Sequence, residues 1–279
     1  MTQLPASYGR AIWDGRRVLG LTFLLAFLLY MLAPLLIIAV SSVGKSWFGP
    51  TFLPEEWGLD WYAWANSIGN IPEVLKNSVI IAAMAVVMSL ALALPTGWAL
   101  GRRKVPVRGL LSTLVLLPRM LPPIAFALGV AKLFYAFGLV DTLFGVALAH
   151  VTITLPFALL VLSATFAGLD DRLIEAAEVC GSRPWRTLIW VILPLAMPGI
   201  LSAAIFVFTT SYNEFTLTLL TYGPHTITLP VKTYLVIGDG FVPVASAISM
   251  ILLVPSLLVL LLIQSQLKPD KLIGGLKGV

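Results

Sequence analysis

Two ionisable side chains stand where ionisable side chains are costly. Arg119 lies in Pro118-Arg119-Met120-Leu121-Pro122-Pro123, and Glu214 lies in Ser211-Tyr212-Asn213-Glu214-Phe215-Thr216. Both segments are embedded in long apolar runs. A charge in such surroundings either pairs with another buried group or lines a path for a polar solute. Tyr212, Asn213 and Thr210 can add hydrogen bonds to that path, and Thr209, Ser211, Thr216 and Thr218 extend the same polar stretch. Nucleophilic and metal chemistry lack material. His150 and His225 stand alone, Cys180 is the single cysteine, and no Cys/His cluster has ligand spacing.

The elements that must position these groups follow from composition. The chain has 279 residues, 59% hydrophobic and only 11% charged, with a mean hydropathy of +0.97. Soluble domains carry about a quarter charged residues. Apolar runs of ~20 residues recur, the length that crosses ~30 Å of hydrocarbon as a helix. They are continuously apolar, without the alternation of a β-barrel. The expectation is an all-α membrane protein with six transmembrane helices.

The divisions are an N-terminal tail (1–17), a first span (18–42), a mixed segment (43–77), a transmembrane core (78–266) holding a polar loop at 167–190, and a C-terminal tail (267–279). The first apolar run is longer than the core of a signal peptide and reads as a retained span. The mixed segment carries Trp47, Trp57, Trp61, Tyr62 and Trp64 beside Glu55, Glu56 and Asp60, which suits an amphipathic segment at the outer membrane surface. Gly44-Lys45-Ser46 resembles the end of a phosphate-binding loop, but Ala39 stands where its first glycine belongs and a span precedes it, so nucleotide binding is rejected.

The remaining spans are read at about 78–100, 110–136, 142–166, 191–220 and 244–263. Pro118, Pro122 and Pro123 break the third, and Pro156 sits in the middle of the fourth. Gly97 and Gly101 form a GxxxG pattern, a hint of close helix packing. Of the 18 Lys and Arg residues, all but Lys45, Lys76, Lys132, Lys232 and Arg119 fall on the side of the termini. The positive-inside rule puts that side, with both termini and the 167–190 loop, in the cytoplasm. The net charge of +5 is accounted for by topology, without nucleic acid.

The loop has its own logic. Asp170 and Asp171 can start a helix, and Leu173, Ile174 and Ala177 give it an apolar face. Gly181 can take the left-handed turn that ends it. Ser182 can cap a second short helix, with Pro184 tolerated in the first turn. That helix feeds directly into the fifth span.

This stretch resembles the EAA loop of ABC importer permeases: EAA, three residues, Gly, nine residues, then Ile-x-Leu-Pro. Glu175, Ala176, Ala177, Gly181, Leu193 and Pro194 fall at those spacings, with Val191 at the usual Ile. The resemblance, over about residues 70–265, implies the MetI-like type I ABC importer permease fold. It implies that the loop, with Arg183, is a coupling helix docking on an ATP-binding subunit, and that Glu175 contacts an arginine there. It implies two ATPase subunits, a second homologous permease (a related chain in preference to an identical one) and a periplasmic substrate-binding protein. ATP and Mg would be bound by the ATPase, with no cofactor in this chain. Such an assembly sits in the bacterial inner membrane and moves a small solute inward by alternating access. This chain would itself have no catalytic site.

The region from Tyr212 through Thr221-Tyr222-Gly223-Pro224 to Leu229-Pro230-Val231-Lys232 is similar to the spermidine/putrescine permease subgroup. Asn213 replaces one carboxylate common there and leaves Glu214. With Arg119 nearby in the pathway, a zwitterion such as 2-aminoethylphosphonate, carried by related permeases, stays an alternative to a polyamine. An ion-driven secondary transporter is a further alternative, against which stand the absence of a repeat and the loop itself.

Overall fold

The computed structural model describes residues 6–45, 53–102 and 108–266. The C-terminal tail at 267–279 with Lys268, Lys271 and Lys277, the residues Arg103 and Lys104 of the basic loop, and Trp47 lie outside the described residues. Among those described, the chain is helical, with one isolated bridge between Gly44 and Trp57. Its helices are α1 (Ala6–Val43), α2 (Asp60–Gly69), α3 (Ile71–Arg102), α4 (Arg108–Met120), α5 (Pro123–Ala136), α6 (Leu143–Ala167), α7 (Asp171–Val179), α8 (Pro184–Thr187), α9 (Leu193–Tyr212), α10 (Thr216–Thr221), α11 (Leu229–Gly238) and α12 (Val242–Gln266). A five-residue π turn (Leu188–Ile192) joins α8 to α9.

Among the described residues, five helical stretches are long and apolar enough to cross a membrane: Arg17–Val43, Ile71–Arg102, Leu143–Ala167, Pro184–Tyr212 and Val242–Leu261. Counted as one span, the bent pair Thr113–Met120 and Pro123–Ala136 makes six. The sequence predicts that pair as one broken helix, but its halves meet at 106°. Pro122 and Pro123 both lack an N–H, and each disfavours helical geometry at the residue before it, so the chain leaves the helix at Leu121. Pro123 then opens α5, where a missing N–H costs nothing.

The fifth span also differs from its expectation. It ends at Tyr212 instead of continuing to about residue 220. The Asn213 side chain donates to the Thr209 carbonyl (2.9 Å), and the Glu214 carboxylate accepts from the Leu217 amide (2.8 Å). Short polar side chains compete with the helical ladder in this way. The result is a break at residues 213–215 followed by α10.

Helix α6 is the platform. Two-thirds of its most apolar window (67%) is buried inside the chain, against none of the window in α1. It packs on α3, α4, α9 and α10. Gly97 and Gly101 of α3 face it closely: a Cβ on Gly97 would stand 3.0 Å from Leu162 Cβ, and one on Gly101 would stand 2.6 Å from the Ser163 carbonyl oxygen. Both glycines therefore set the helix separation, the close backbone approach that small residues allow in membranes. Ala85, Ala93, Ala158, Leu162, Ala196, Ala203 and Val207 fill the space between α3, α6 and α9.

By contrast, α1 packs along α12 and leaves a row of Leu and Phe side chains exposed. The segment between α1 and α3 docks through aromatics. Trp61 Nε1 donates to the Gly44 carbonyl (2.6 Å), and Trp64 meets Phe241 edge-on at 4.6 Å. Helix α3 begins at Ile71, earlier than the sequence places the second span, because Asn70 takes a left-handed turn directly after α2.

The α3–α6 contact yields a stability prediction. Gly101→Val should destabilise the protein by about 1–3 kcal/mol, because the added atoms meet backbone that cannot swing away. Thermal unfolding in detergent measures this, with Gly109→Val, where a Cβ meets nothing within 4 Å, as the neutral control.

Candidate functional site

The polar loop folds as a capped hairpin. Asp170 accepts from the Arg172 amide (2.9 Å) at the start of α7. At its end Gly181 has φ +77°. The Ser182 amide reaches the Ala177 carbonyl (3.0 Å), and the Gly181 amide reaches that of Glu178 (2.9 Å). These paired bonds are a Schellman closure, and the left-handed residue within it favours glycine. The expected cap by Ser182 is not formed. Arg183 occupies the cap position of α8 without a side-chain bond, because Pro184 begins that helix, and the Ser182 hydroxyl accepts from Thr187 instead (3.0 Å).

The apolar face of α7 is narrower than expected. Ile174 packs on the α3–α6–α9 cluster and Ala177 is half-buried, whereas Leu173 is exposed. Glu175, Ala176, Gly181 and Arg183 are exposed, as is Val179. Arg102 at the end of α3 anchors the hairpin. It donates to the Leu169 carbonyl (2.7 Å), pairs with Asp171 and lies over the Trp98 ring. Beneath the hairpin is a cavity of about 790 Å³, lined by Trp98, Phe166, Ile174, Glu178, Pro184 and Ile192 among others. The π turn ends in a bond from the Leu193 amide back to the Leu188 carbonyl. This wide turn comes directly before Pro194, whose ring and missing N–H oppose a regular ladder there.

The ionisable and polar residues of the apolar segments are brought together in part. Arg119 is exposed. Its Nε donates to the Ile153 carbonyl (3.2 Å), and its guanidinium lies 4.4 Å from the centre of the Phe157 ring. Glu214 is half-buried beside the break, and it forms no ion pair with Arg119. Asn213 is exposed. Tyr212 departs from the expected polar wall. It is 1% exposed, belongs to the core with Ala82 and Ile248, stacks on Phe208, and its hydroxyl has no partner.

Both histidines read as isolated in the sequence have partners. His150 is buried between Ser211 and Thr218. No local pattern announces this, since the partners are 61 and 68 residues away. His225 joins a clip at the start of α6, the end away from the hairpin. Asp141, at φ +57°, accepts from the His225 amide (3.0 Å), His225 Nδ1 (2.8 Å) and Thr226 Oγ1 (3.0 Å). A Cβ on Gly223 would stand 2.2 Å from Asp141 Cγ, so only glycine passes there. Asn77 donates to the carbonyls of His225 and Ile227, and Ser78 accepts from the Leu229 amide.

The clip is charge-sensitive. Burial alone would raise the Asp141 carboxyl, but the bonds from His225 and Thr226 outweigh it and hold it below its ordinary 3.8. The bond to Asp141 and its charge hold His225 above 6.5. The Asp141 contribution is therefore present above 3.8 and lost as pH falls through its lowered value. The His225 contribution is full below 6.5 and lost as pH rises through its raised value. Asp141→Asn should lower the melting temperature most between those limits, and the difference from wild type should shrink as pH climbs past the His225 transition. A difference that stays constant from pH 6 to pH 9 would sink this account.

The family described as "Binding-protein-dependent transport system inner membrane component" matches residues 93–271. The spermidine/putrescine transport system permease protein PotC of Escherichia coli (strain K12) is 28% identical over 251 residues, which is 90% of this chain and 94% of that protein. The trehalose/maltose transport system permease protein MalG of Thermococcus litoralis is 33% identical over 213 residues, 75% of this chain and 77% of that one. A bacterial ABC transporter involved in the import of the acidic polysaccharide alginate contains a chain of the same fold, with a TM-score of 0.71 and 21% identity, covering 96% of this chain and 100% of that chain.

Proposed function

The chain belongs to the binding-protein-dependent transport system inner membrane component family, and from that premise we propose how its two polar regions work as one device. It is a multi-pass inner-membrane permease subunit of an ABC importer, a membrane component and not the ATP-hydrolysing subunit. In our reading the hairpin at 170–187 faces the cytoplasm, on the same side as the termini, and docks on one of two ATPase subunits that bind ATP and Mg. A second, related permease completes the route, and a periplasmic binding protein delivers the solute.

The observation that carries this reading is continuity. From Pro184 to Tyr212 the chain is helical without interruption over 29 residues, a rod of ~43 Å at 1.5 Å per residue. One end is the hairpin, where exposed Glu175 and Ala176 offer a carboxylate and a close approach. Ala177 and Gly181 form the turn, Arg183 opens the next helix, and Leu193-Pro194 enters the membrane portion. The other end is the break that carries Asn213 and Glu214. A push on the hairpin is thereby delivered to these two residues. Arg102 bonded to Leu169 and Asp171 couples the same push to α3.

For the solute we favour a polyamine such as spermidine or putrescine. The length of the likeness to a spermidine/putrescine permease supports it, and so does a half-buried carboxylate at Glu214, which would meet a cation. A second reading, 2-aminoethylphosphonate, is favoured by the exposed guanidinium of Arg119, which would meet a phosphonate.

Gly181→Asp tests the hairpin. A side chain at φ +77° costs ~1–2 kcal/mol locally, so membrane insertion should persist while uptake falls and ATP hydrolysis loses its stimulation by loaded binding protein. Normal uptake in that variant would end the assignment. Glu214→Gln and Arg119→Gln separate the solutes. If a polyamine is carried, Glu214→Gln should lower spermidine uptake about tenfold or more by removing a desolvated charge partner. If aminoethylphosphonate is carried, Arg119→Gln should have the corresponding effect on its uptake.

A further inference from the structure

His150 has no part in the device described so far, yet it is the largest buried polar side chain of α6, two turns from the start of that helix, at 1% exposure. Its Nδ1 lies 2.7 Å from Ser211 Oγ and its Nε2 lies 2.8 Å from Thr218 Oγ1. Ser211 belongs to the last turn of α9 and Thr218 to the first turn of α10. The imidazole therefore spans the break between them.

The backbone of Glu214 hangs on the same two residues. Its amide donates to the Ser211 carbonyl (3.2 Å), and its carbonyl accepts from the Thr218 hydroxyl (3.3 Å). Proton counting orders the network. Thr218 has one hydroxyl proton and directs it to Glu214, so Thr218 accepts from Nε2–H. In the neutral ring Nδ1 is then the acceptor, and the Ser211 hydroxyl supplies its proton. On its own helix the Thr154 hydroxyl donates to the His150 carbonyl (2.9 Å) and therefore accepts from Ser89 of α3, also at 2.9 Å. A leucine would fill the space of the ring but leave both hydroxyls beside the break without their partner.

We propose that His150 is a positioning residue of the transport route. It holds α9 and α10 at one angle across the break and thereby sets where the Glu214 carboxylate stands. Its bonds reach the residues on both sides of Glu214 and touch neither Glu214 nor any solute. The inference rests on the reading of Glu214 as a wall of the route, and the experiment below does not depend on which solute is carried.

The reporter is Asn213→Cys, exposed beside Glu214, in a Cys180→Ser background that removes the native thiol. The chain is assembled with its co-purifying subunits in proteoliposomes and labelled with a positively charged, membrane-impermeant methanethiosulfonate. Ser67→Cys, exposed on α2, is the distant control. His150→Leu should change the labelling rate at position 213 by roughly five-fold or more, the scale of one lost buried hydrogen bond. His150→Gln, which keeps a donor and an acceptor, should stay near the parent rate, and the rate at position 67 should not move. An unchanged rate in His150→Leu, equal changes in Leu and Gln variants, or equal changes at positions 213 and 67 would each overturn the proposal. If His150→Leu does not assemble, Ser211→Ala removes one of its two bonds and leaves the ring and the Thr218–Glu214 bond in place. That variant must then shift the rate at position 213, and a parent rate there overturns the proposal. If the expected labelling shift appears while Glu214→Gln keeps parent uptake, the reading of Glu214 as a wall of the route fails and the positioning role stands.

Discussion

Hydrocarbon offers no hydrogen bonds, so every departure from the helical ladder inside the membrane must be satisfied by the protein itself. This constraint organises the chain. Its ladder departs from regularity at the prolines after Met120, at the π turn before Pro194, and at residues 213–215. At the last of these, the Asn213 side chain, the Glu214 carboxylate and the Thr218 hydroxyl take up backbone groups that a regular helix would have paired. At the first, α6 receives the nearby Arg119 through the Ile153 carbonyl and the Phe157 ring. Helix α6 can serve as that shared partner because it lies inside the bundle, while α1 faces outward along most of its length.

The same helix sets what is rigid. Gly97 and Gly101 bring α3 against it with no room for a side chain between them, and the alanines of α3, α6 and α9 keep the three helices close. Without water there is no hydrophobic drive between membrane helices, so such contact and a few interhelical hydrogen bonds supply the attraction. The Ser89–Thr154 bond is one of these. The hairpin is joined to this block by Arg102 and by the helix that rises from it. Hairpin and block are thereby one packed unit. The end away from the hairpin is secured differently, by polar contacts of Asp141, Asn77 and Ser78 to the 223–229 segment. Of these, the Asp141–His225 contact is exposed, and its strength follows charge state.

Much was legible from the residues alone. Apolar runs of spanning length gave the number of membrane helices, since length and transfer cost are local properties. The hairpin was legible because its signals are local as well: Asp170 capping, Gly181 turning and Pro184 opening act within a few residues of themselves. The break at Asn213 and the sharpness of the bend at Pro122-Pro123 were visible only as polar and proline content. How far each would turn the chain depended on which neighbour could satisfy the freed groups.

What the tertiary structure decided lies in pairs distant in sequence. His150 joins Ser211 and Thr218, Asp141 joins His225, and Arg102 joins Asp171, across separations of about sixty to eighty-five residues. Tyr212 turns into the core although it sits in the most polar stretch of the fifth span, because the break one residue later re-aims Asn213 and Glu214 and leaves its ring against Phe208. The sequence by itself determined which segments lie in the membrane and where the polar loop turns, because burial in hydrocarbon and backbone capping are set residue by residue. Only the packed helices decided which polar groups meet, because a buried donor is satisfied by whatever acceptor the fold brings within three ångströms of it.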